Sequence, residues 1–314
     1  MRCELCPRRC GADRSRGGRG YCGMGENVTA ARAALHYWEE PCISGTRGSG
    51  AVFFSGCVMR CAYCQNYSVS GGYGEEISVK RLSEIFLELE KQGAHNINLV
   101  NPTHFVPQII SALDMARGRL QIPVVYNSGG YERVETLKML DGYVDIYLPD
   151  IKYYSEEAAV RLSNAPKYFE TALSAVGEMV RQTGAPVFKG YGAVGQDEPL
   201  PDAVLLKGTV VRHMVLPTYY MDSIEVIKRV GEHFGECILF SLMSQYTPFG
   251  RVRTDSALSK LNRRVTTFEY RKALYAVLSA GLRGYMQEKS SAAEEYTPEF
   301  DLSGLKAEKR EISD

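Results

Sequence analysis

The sequence lacks the long apolar runs that membrane-spanning proteins need. No stretch of about 18 consecutive apolar residues occurs in the 314-residue chain, so no transmembrane helix is predicted. The first residues, Met-Arg-Cys-Glu, lack the apolar core of a secretory signal peptide. We therefore expect a cytoplasmic protein. A reducing cytosol disfavours disulfide bonds as the explanation for its nine cysteines.

The sequence also lacks an excess of charge of either sign. Its 37 Lys and Arg residues balance 37 Asp and Glu residues, which gives a formal net charge of zero at pH 7. Proteins that bind nucleic acid usually carry excess basic charge, so the composition does not favour nucleic acid as a partner. The apolar content of 45% and the charged content of 24% are typical of a globular protein.

The most distinctive feature of the sequence is its clustered cysteines. Cys57, Cys61 and Cys64 stand close together, directly after an apolar run at residues 51–54. An odd number of thiols argues against simple disulfide pairing, and a closed zinc site or a fully ligated cluster usually takes four ligands. Three thiolates on a cubane iron–sulfur cluster would leave one iron free to hold a small molecule.

A second set, Cys3, Cys6, Cys10 and Cys22, lies near the N-terminus. Glycines between these cysteines permit the tight turns that wrapping a metal requires. The segment has too few large apolar residues to fold by burial alone, so a bound metal would stabilise it. The spacing does not distinguish structural zinc from an auxiliary iron–sulfur cluster. We predict a Cys-rich metal-binding segment and linker over residues 1–48.

The linker contains three further features. Glu39 and Glu40 are interpreted as a solvated pair, and the single tryptophan, Trp38, as a packing residue. Cys42 has no partner at ligand spacing and is interpreted as an ordinary buried thiol.

From residue 51 onward, short apolar runs alternate with stretches whose apolar residues recur at helical spacing. Strand–helix alternation predicts parallel strands joined by crossover helices. The repeat is too short for the usual eight-unit barrel. We predict an α/β fold with a partial (β/α)6 TIM-type barrel over residues 49–285, with a doubly wound sheet as the alternative, and a polar, solvated tail over residues 286–314. The predicted strands are 51–54, 96–100, 123–126, 144–148, 209–216 and 237–243.

Polar side chains follow every predicted strand, and the active site of a parallel α/β barrel lies at that end of the strands. Arg212 is the most informative of them, because a buried arginine needs an anionic partner such as Asp150 or a ligand carboxylate. Structural roles remain the alternative, such as a surface ion pair for Asp150 and Lys152 or a buried histidine for His104 and His213. The candidates are Asn101, Thr103, His104, Asn127, Ser128, Asp150, Lys152, Arg212 and Tyr246.

The cysteine loop resembles the cluster loop of radical S-adenosylmethionine (SAM) enzymes. That loop has the pattern Cys-x3-Cys-x2-Cys with an aromatic residue before the last cysteine, and Tyr63 stands at the aromatic position. Residues 50–250 resemble the pyruvate formate-lyase-activating-enzyme branch of that superfamily, specifically a related uncharacterised group with an extra N-terminal Cys segment. The likeness extends to residues 93–100, 145–152 and 211–217.

The resemblance implies a [4Fe-4S] cluster on Cys57, Cys61 and Cys64 that binds SAM. Reductive cleavage would yield methionine and a 5′-deoxyadenosyl radical, which takes a hydrogen atom from the substrate. A reductant such as flavodoxin or ferredoxin would supply the electron, and a protein is one candidate substrate. Tyr63 would shield a cluster face or present its backbone to adenine. The residues implied to hold SAM or orient the substrate are Asn101, Thr103, His104, Asn127, Ser128, Asp150, Lys152, Arg212 and Tyr246.

The chain departs from the activating enzymes at two positions. Residues 101–104 replace the Gly-Gly-Glu that holds the SAM amino group, and Tyr246 stands nearest to where a histidine follows strand six. These departures affect the glycyl-radical target more than the SAM chemistry. The expected function is that of a radical SAM oxidoreductase, with activation of a glycyl radical enzyme as one candidate role. The alternatives are modification of another protein, a peptide or a small molecule, and an iron–sulfur or zinc protein that does not use SAM.

Overall fold

The computed structural model describes residues 2–189, 203–287 and 298–306, and within them ten strands form a single sheet. The helices include α1 (Pro41–Ser44), α2 (Tyr67–Ser70), α3 (Val79–Lys91), α4 (Val106–Ala116), α5 (Val134–Lys138), α6 (Glu156–Ser163), α7 (Tyr168–Thr183), α8 (Tyr220–Phe234) and α9 (Thr267–Ser279). The strands are β1 (Val28–His36), β2 (Ser49–Phe54), β3 (Glu75–Ile77), β4 (Ile97–Val100), β5 (Val124–Ser128), β6 (Ile146–Pro149), β7 (Val187–Phe188), β8 (Leu205–Met214), β9 (Leu239–Met243) and β10 (Gly284–Met286).

The order of the strands distinguishes the two predicted topologies. Strands β2, β4, β5, β6, β8 and β9 are neighbours in chain order, and every pair among them is parallel. A doubly wound sheet reverses its winding direction part-way along the chain, whereas this sheet keeps one direction. The sheet is not closed, since β10 and β3 lie at opposite ends of the order. The predicted partial barrel is therefore confirmed.

The central strands are continuous apolar runs because both of their faces are covered. All six residues of β2 are buried, and β9 is buried throughout. Helix α3 lays Leu82, Ile85 and Phe86 against the sheet, on the face that the helical spacing predicts. No helix in the described ranges is both long and apolar enough to cross a membrane.

Strand β1 is the main departure from the predicted fold. Residues 28–36, interpreted as linker, form an antiparallel strand that pairs with β2 on one side and with β3 on the other. Four of its nine residues are alanine, a residue depleted in strands, so its propensity is weak. The strand covers the β2 edge of the barrel, which would otherwise expose unpaired backbone groups.

The C-terminal residues 298–306 pack against β1. The Leu302 amide donates to the Ala31 carbonyl at 3.0 Å, and the Ala33 amide donates to the Ser303 carbonyl at 2.8 Å. Leu305 is 2% exposed. The prediction of a solvated tail is thus wrong for these residues, because their backbone hydrogen-bonds to β1 and Leu305 is buried. Residues 288–297 and 307–314 of that predicted tail lie outside the described residues.

Candidate active site

The three-cysteine loop begins where β2 ends, at Gly56. Gly56 has φ of +83°, and a Cβ placed there would lie 2.5 Å from the Cγ of Met24 and 2.7 Å from the Cys22 carbonyl oxygen. Only glycine fits this backbone conformation and this close approach. The N-terminal segment therefore contacts the residue just before Cys57.

Hydrogen-bond donors point at the sulfurs of the loop. The amides of Met59 and Arg60 donate to Cys57 Sγ at 3.3 and 3.5 Å, and Ser163 Oγ donates to Cys61 Sγ at 2.9 Å. Hydrogen bonds of this kind stabilise a thiolate and, in iron–sulfur proteins, set the reduction potential of the cluster.

The donor set fits a cluster better than a single ion. Within the described ranges, no group of three or more His, Cys, Asp or Glu side chains has the geometry to hold one metal ion. A cubane distributes its thiolates over separate irons, and Cys57, Cys61 and Cys64 line one common cavity. Desolvation raises the pKa of Cys64 to about 12, so this thiol needs the positive charge of a metal to ionise at neutral pH.

A cavity of about 230 Å³ lies beside the loop, at the C-terminal ends of the barrel strands. Polar and charged side chains from β5, β6 and β8 meet there, as the position of the active site in parallel barrels predicts. Apolar groups from β2, β8 and β9 form the remaining wall. Its lining includes Cys61, Tyr63, Cys64, Asn127, Asp150, Lys152 and Arg212 together with His36, Trp38, Glu39, Phe53, Met214, Met243 and Gln245.

Arg212 is the centre of a buried polar network in this cavity. Its Nε donates to Asp150 Oδ1 at 2.8 Å, its Nη1 to Glu39 Oε2 at 3.0 Å, and its Nη2 to Asn127 Oδ1 at 2.6 Å. Lys152 Nζ donates to the second Asp150 oxygen. Burial opposes ionisation of Asp150, but Arg212 and Lys152 outweigh it and lower the pKa of this carboxyl. All three Arg212 nitrogens are thus engaged by the protein.

Glu39 is a site residue that the sequence analysis missed. Its side chain, interpreted above as solvated, is only 10% exposed, and Asn98 and Asn127 donate to its Oε1 at 3.2 and 3.1 Å. Burial raises the pKa of Glu39, and the nearby Arg212 opposes that rise. Glu40 is also buried, so the solvated-pair interpretation is wrong for both residues. Recognising β1 would not have revealed this, because β1 is antiparallel to β2 and ends beside Ser49, at the amino end of β2.

The residues after β4 separate into two groups. Asn101 has φ of +56°, donates from Nδ2 to the Gly56 carbonyl at 2.9 Å, and lines a pocket beside the loop with Ser128. Thr103 and His104 are buried elsewhere: Thr103 donates to Glu132 at 2.9 Å, and His104 Nε2 lies 2.7 Å from the Ser55 carbonyl oxygen. These contacts assign Thr103 and His104 to support of the loop rather than to the cavity.

A chain of hydroxyl groups joins Tyr63 to the loop sulfur. Tyr63 and Tyr153 share a hydrogen bond of 2.6 Å, Tyr153 and Ser163 share another of 2.6 Å, and Ser163 donates to Cys61. Tyr63 thereby fixes the loop as well as lining the cavity.

Tyr246, a predicted site residue, and its fellow strand-end candidate His213 are not in the cavity lining. The Tyr246 hydroxyl donates to the Leu261 carbonyl at 2.9 Å, and its neighbour Gln245 lines the cavity instead. His213 is buried, and its Nδ1 lies 2.6 Å from the Ile151 carbonyl oxygen. Desolvation lowers the pKa of His213 to about 4, which leaves it a neutral, structural histidine. Cys42 is fully buried, as predicted for an ordinary thiol.

Glu132 provides a pH-dependent test of this buried region. Burial raises the pKa of its carboxyl from 4.5 to about 7, against hydrogen bonds from Thr103 and Tyr126. A raised carboxyl pKa favours the protonated folded state, so its contribution to stability is complete below pH 4.5 and is lost as pH rises to 7. Between pH 5 and pH 8, we expect Glu132→Gln to remove about 2–3 kcal/mol of the pH dependence of the unfolding free energy. Urea denaturation at both pH values measures the change, and equal dependence in variant and parent would contradict it.

Comparison with protein families agrees with this geometry. Residues 51–198 match the family model described as the radical SAM superfamily. These residues form a radical SAM domain. The domain's cofactors are a [4Fe-4S] cluster and SAM.

Relatives extend the likeness beyond the radical SAM domain. An uncharacterized protein of Methanocaldococcus jannaschii is 27% identical over 283 residues, which cover 87% of this chain and 73% of the relative. The aligned length exceeds that of the radical SAM domain, so the likeness includes residues outside it.

Solved structures are similar at lower identity. SuiB of Streptococcus suis bound to its precursor peptide SuiA shares 11% identity at a TM-score of 0.48, and the match covers 74% of this chain. The chain spans 46% of the length of SuiB. A domain of pyruvate-formate lyase-activating enzyme from Bacteroides vulgatus shares 12% identity at a TM-score of 0.37, covering 58% of this chain and 93% of that domain.

Proposed function

We propose that this radical SAM enzyme holds its [4Fe-4S] cluster on Cys57, Cys61 and Cys64 and its SAM in the adjoining cavity. The observation that carries this assignment is the three-sulfur loop, which opens onto a charged cavity. Among the described residues, no cysteine besides these three lines the cavity or the pocket that adjoins it. Three thiolates leave one iron of a cubane for SAM.

The charges in the cavity suit the methionine end of SAM, which carries an ammonium and a carboxylate. Lys152 offers a cation for the carboxylate, while Asp150 and Glu39 offer anions for the ammonium. Arg212 acts as a positioning residue, because it fixes Asp150, Glu39 and Asn127 through one hydrogen bond each.

When bound, the cluster and SAM supply one-electron cleavage of the sulfonium and a carbon radical that removes hydrogen from a substrate. The role of the protein chain is to orient the bound groups and to exclude competing reactants. Phe53, Met214 and Met243 line the apolar side of the cavity, and Tyr63 covers the loop. Excluding water here protects a reactive intermediate from side reactions.

We further propose a polypeptide substrate, with a glycyl radical enzyme as the first candidate. The resemblance to activating enzymes supports this choice. So does the cavity lining, which includes Trp38, a residue that is 58% exposed and would be accessible to an incoming chain. A flavodoxin or ferredoxin would donate the electron.

The test is anaerobic reconstitution followed by dithionite and SAM. We expect methionine and 5′-deoxyadenosine in equal amounts, and deuterium in the 5′-deoxyadenosine when a labelled substrate polypeptide is supplied. Iron-loaded protein that leaves SAM intact would indicate an electron carrier instead. Zinc without iron after anaerobic purification would indicate a scaffold.

A further inference from the structure

The N-terminal segment packs directly on the cluster loop. Arg8 Nε donates to the Val58 carbonyl at 2.9 Å, and the Arg8 guanidinium stacks 4.2 Å from the centre of the Tyr21 ring. Arg60, from the loop, lies 5.3 Å from the same ring. Tyr21 precedes Cys22, and Arg60 precedes Cys61. The segment and the loop are therefore held together next to a cysteine of the segment and a cysteine of the loop.

Two thiols of the segment face a common space, and the other two lie near them. A Cβ placed on Gly20 would lie 3.3 Å from Cys10 Sγ and 3.3 Å from Cys22 Sγ, so both sulfurs face this one glycine. The Cys3 side chain lies close to the Cys10 thiol. Cys6 is buried, with Cys3 and Cys22 nearby. A side chain at position 20 would fill the space between the Cys10 and Cys22 sulfurs.

A buried cation faces the same sulfurs. Arg14 is 9% exposed, and its Nη2 donates to Cys22 Sγ at 3.3 Å. Its Nη1 donates to the His104 carbonyl, its Nε has no hydrogen-bond partner, and in the described ranges no carboxylate forms an ion pair with it. A buried guanidinium requires a negative partner. The four sulfurs provide one only when a metal has displaced their protons.

We propose that Cys3, Cys6, Cys10 and Cys22 ligate a second iron–sulfur cluster, with Arg14 as its counter-ion. A single zinc ion would draw its four sulfurs to within roughly 3.8 Å of one another, given Zn–S bonds of about 2.3 Å. In the described ranges, no such single-ion group is present. Four protein ligands complete the coordination of this cluster, so it differs from the loop cluster and leaves no position for SAM.

The proposal does not depend on the function of the loop and is tested without it. In the full chain, the loop variant Cys57→Ala/Cys61→Ala/Cys64→Ala should retain roughly two to four irons with matching sulfide and a reduced-cluster EPR signal, as expected of a cluster with four cysteine ligands. The segment variant has Cys3, Cys6, Cys10 and Cys22 replaced by alanine. It should lose the iron of the second cluster and keep the iron of the loop cluster. A loop variant without iron, or with one zinc per chain, overturns the proposal.

The two possible failures are distinguishable. If the loop bound no cluster, the parent and the loop variant would contain equal amounts of iron. The iron bound by the N-terminal segment could still be measured in both. The loop variant leaves the segment's cysteines intact, so its retained iron remains informative even if the segment variant fails to fold.

Arg14 has its own readout in the loop variant. Arg14→Met should shift the midpoint potential of the second cluster to more negative values, because a nearby cation favours the reduced, more negative state. Arg16→Met is the matched control, since its side chain is 86% exposed, and should leave the potential unchanged. An unchanged potential in Arg14→Met would overturn the counter-ion assignment.

Discussion

Replacing Cys61 by alanine should abolish SAM cleavage and remove about four irons per chain. Cys61 Sγ is one of three predicted cluster ligands and accepts a hydrogen bond from Ser163. Loss of an outer hydrogen-bond partner of a metal site typically costs about 10–100-fold in affinity or activity, and loss of a ligand should cost more. Iron and sulfide analysis together with 5′-deoxyadenosine production measures the effect.

Two matched variants make this result specific. Cys237→Ser alters an exposed cysteine outside the cavity lining and should leave iron content and SAM cleavage unchanged. Ser163→Ala removes only the hydrogen bond and should fall between the two. A Cys61→Ala protein that still cleaves SAM would show that the cluster is held elsewhere.

Replacing Arg212 by methionine should give the largest loss of stability of any single change in the cavity. Its partners Asp150 and Glu39 are about 15% and 10% exposed. The variant leaves Glu39 buried without its cation and leaves Asp150 paired with Lys152 alone. Breaking a buried ion pair by removing one partner typically costs about 3–5 kcal/mol. Urea denaturation of the metal-free chain measures this cost apart from any effect on the cofactors.

An exposed arginine provides the comparison. Arg251, whose side chain is 72% exposed, pairs with Asp255, and Arg251→Met should cost no more than about 1 kcal/mol. Adding Glu39→Gln to Arg212→Met should recover part of the lost stability, because one unpaired carboxylate is then removed. A loss of stability below about 1 kcal/mol for Arg212→Met would mean that Arg212 does not hold both carboxylates in a buried network.

The repeating core of the fold could be predicted because its signal is local. Apolar runs such as residues 51–54 and 96–100 mark strands that are buried on both faces, and their order in the sheet follows the chain. Strand β1 carries no comparable signal, since its alanines are stabilised by pairing with β2 rather than by propensity. The choice between barrel and doubly wound sheet depends on long-range pairing, which periodicity does not encode.

The site could be predicted only in part, for a related reason. The rule that polar groups gather at strand ends located Asn127, Asp150 and Arg212, which the structure brings together. The same rule does not say which way a side chain points after its strand, so it groups Thr103 and His104 with them although they turn toward the protein interior.

Residues on both sides of the matched span limit how far the chain can be shortened. The family match begins at residue 51 and ends at residue 198, yet Glu39 enters the cavity from before that span and Arg212 from beyond it. A fragment cut to the matched residues would keep the three sulfurs but lose one wall of the pocket and the cation that organises the other. We therefore expect any fragment that cleaves SAM to retain the residues on both sides of the matched span.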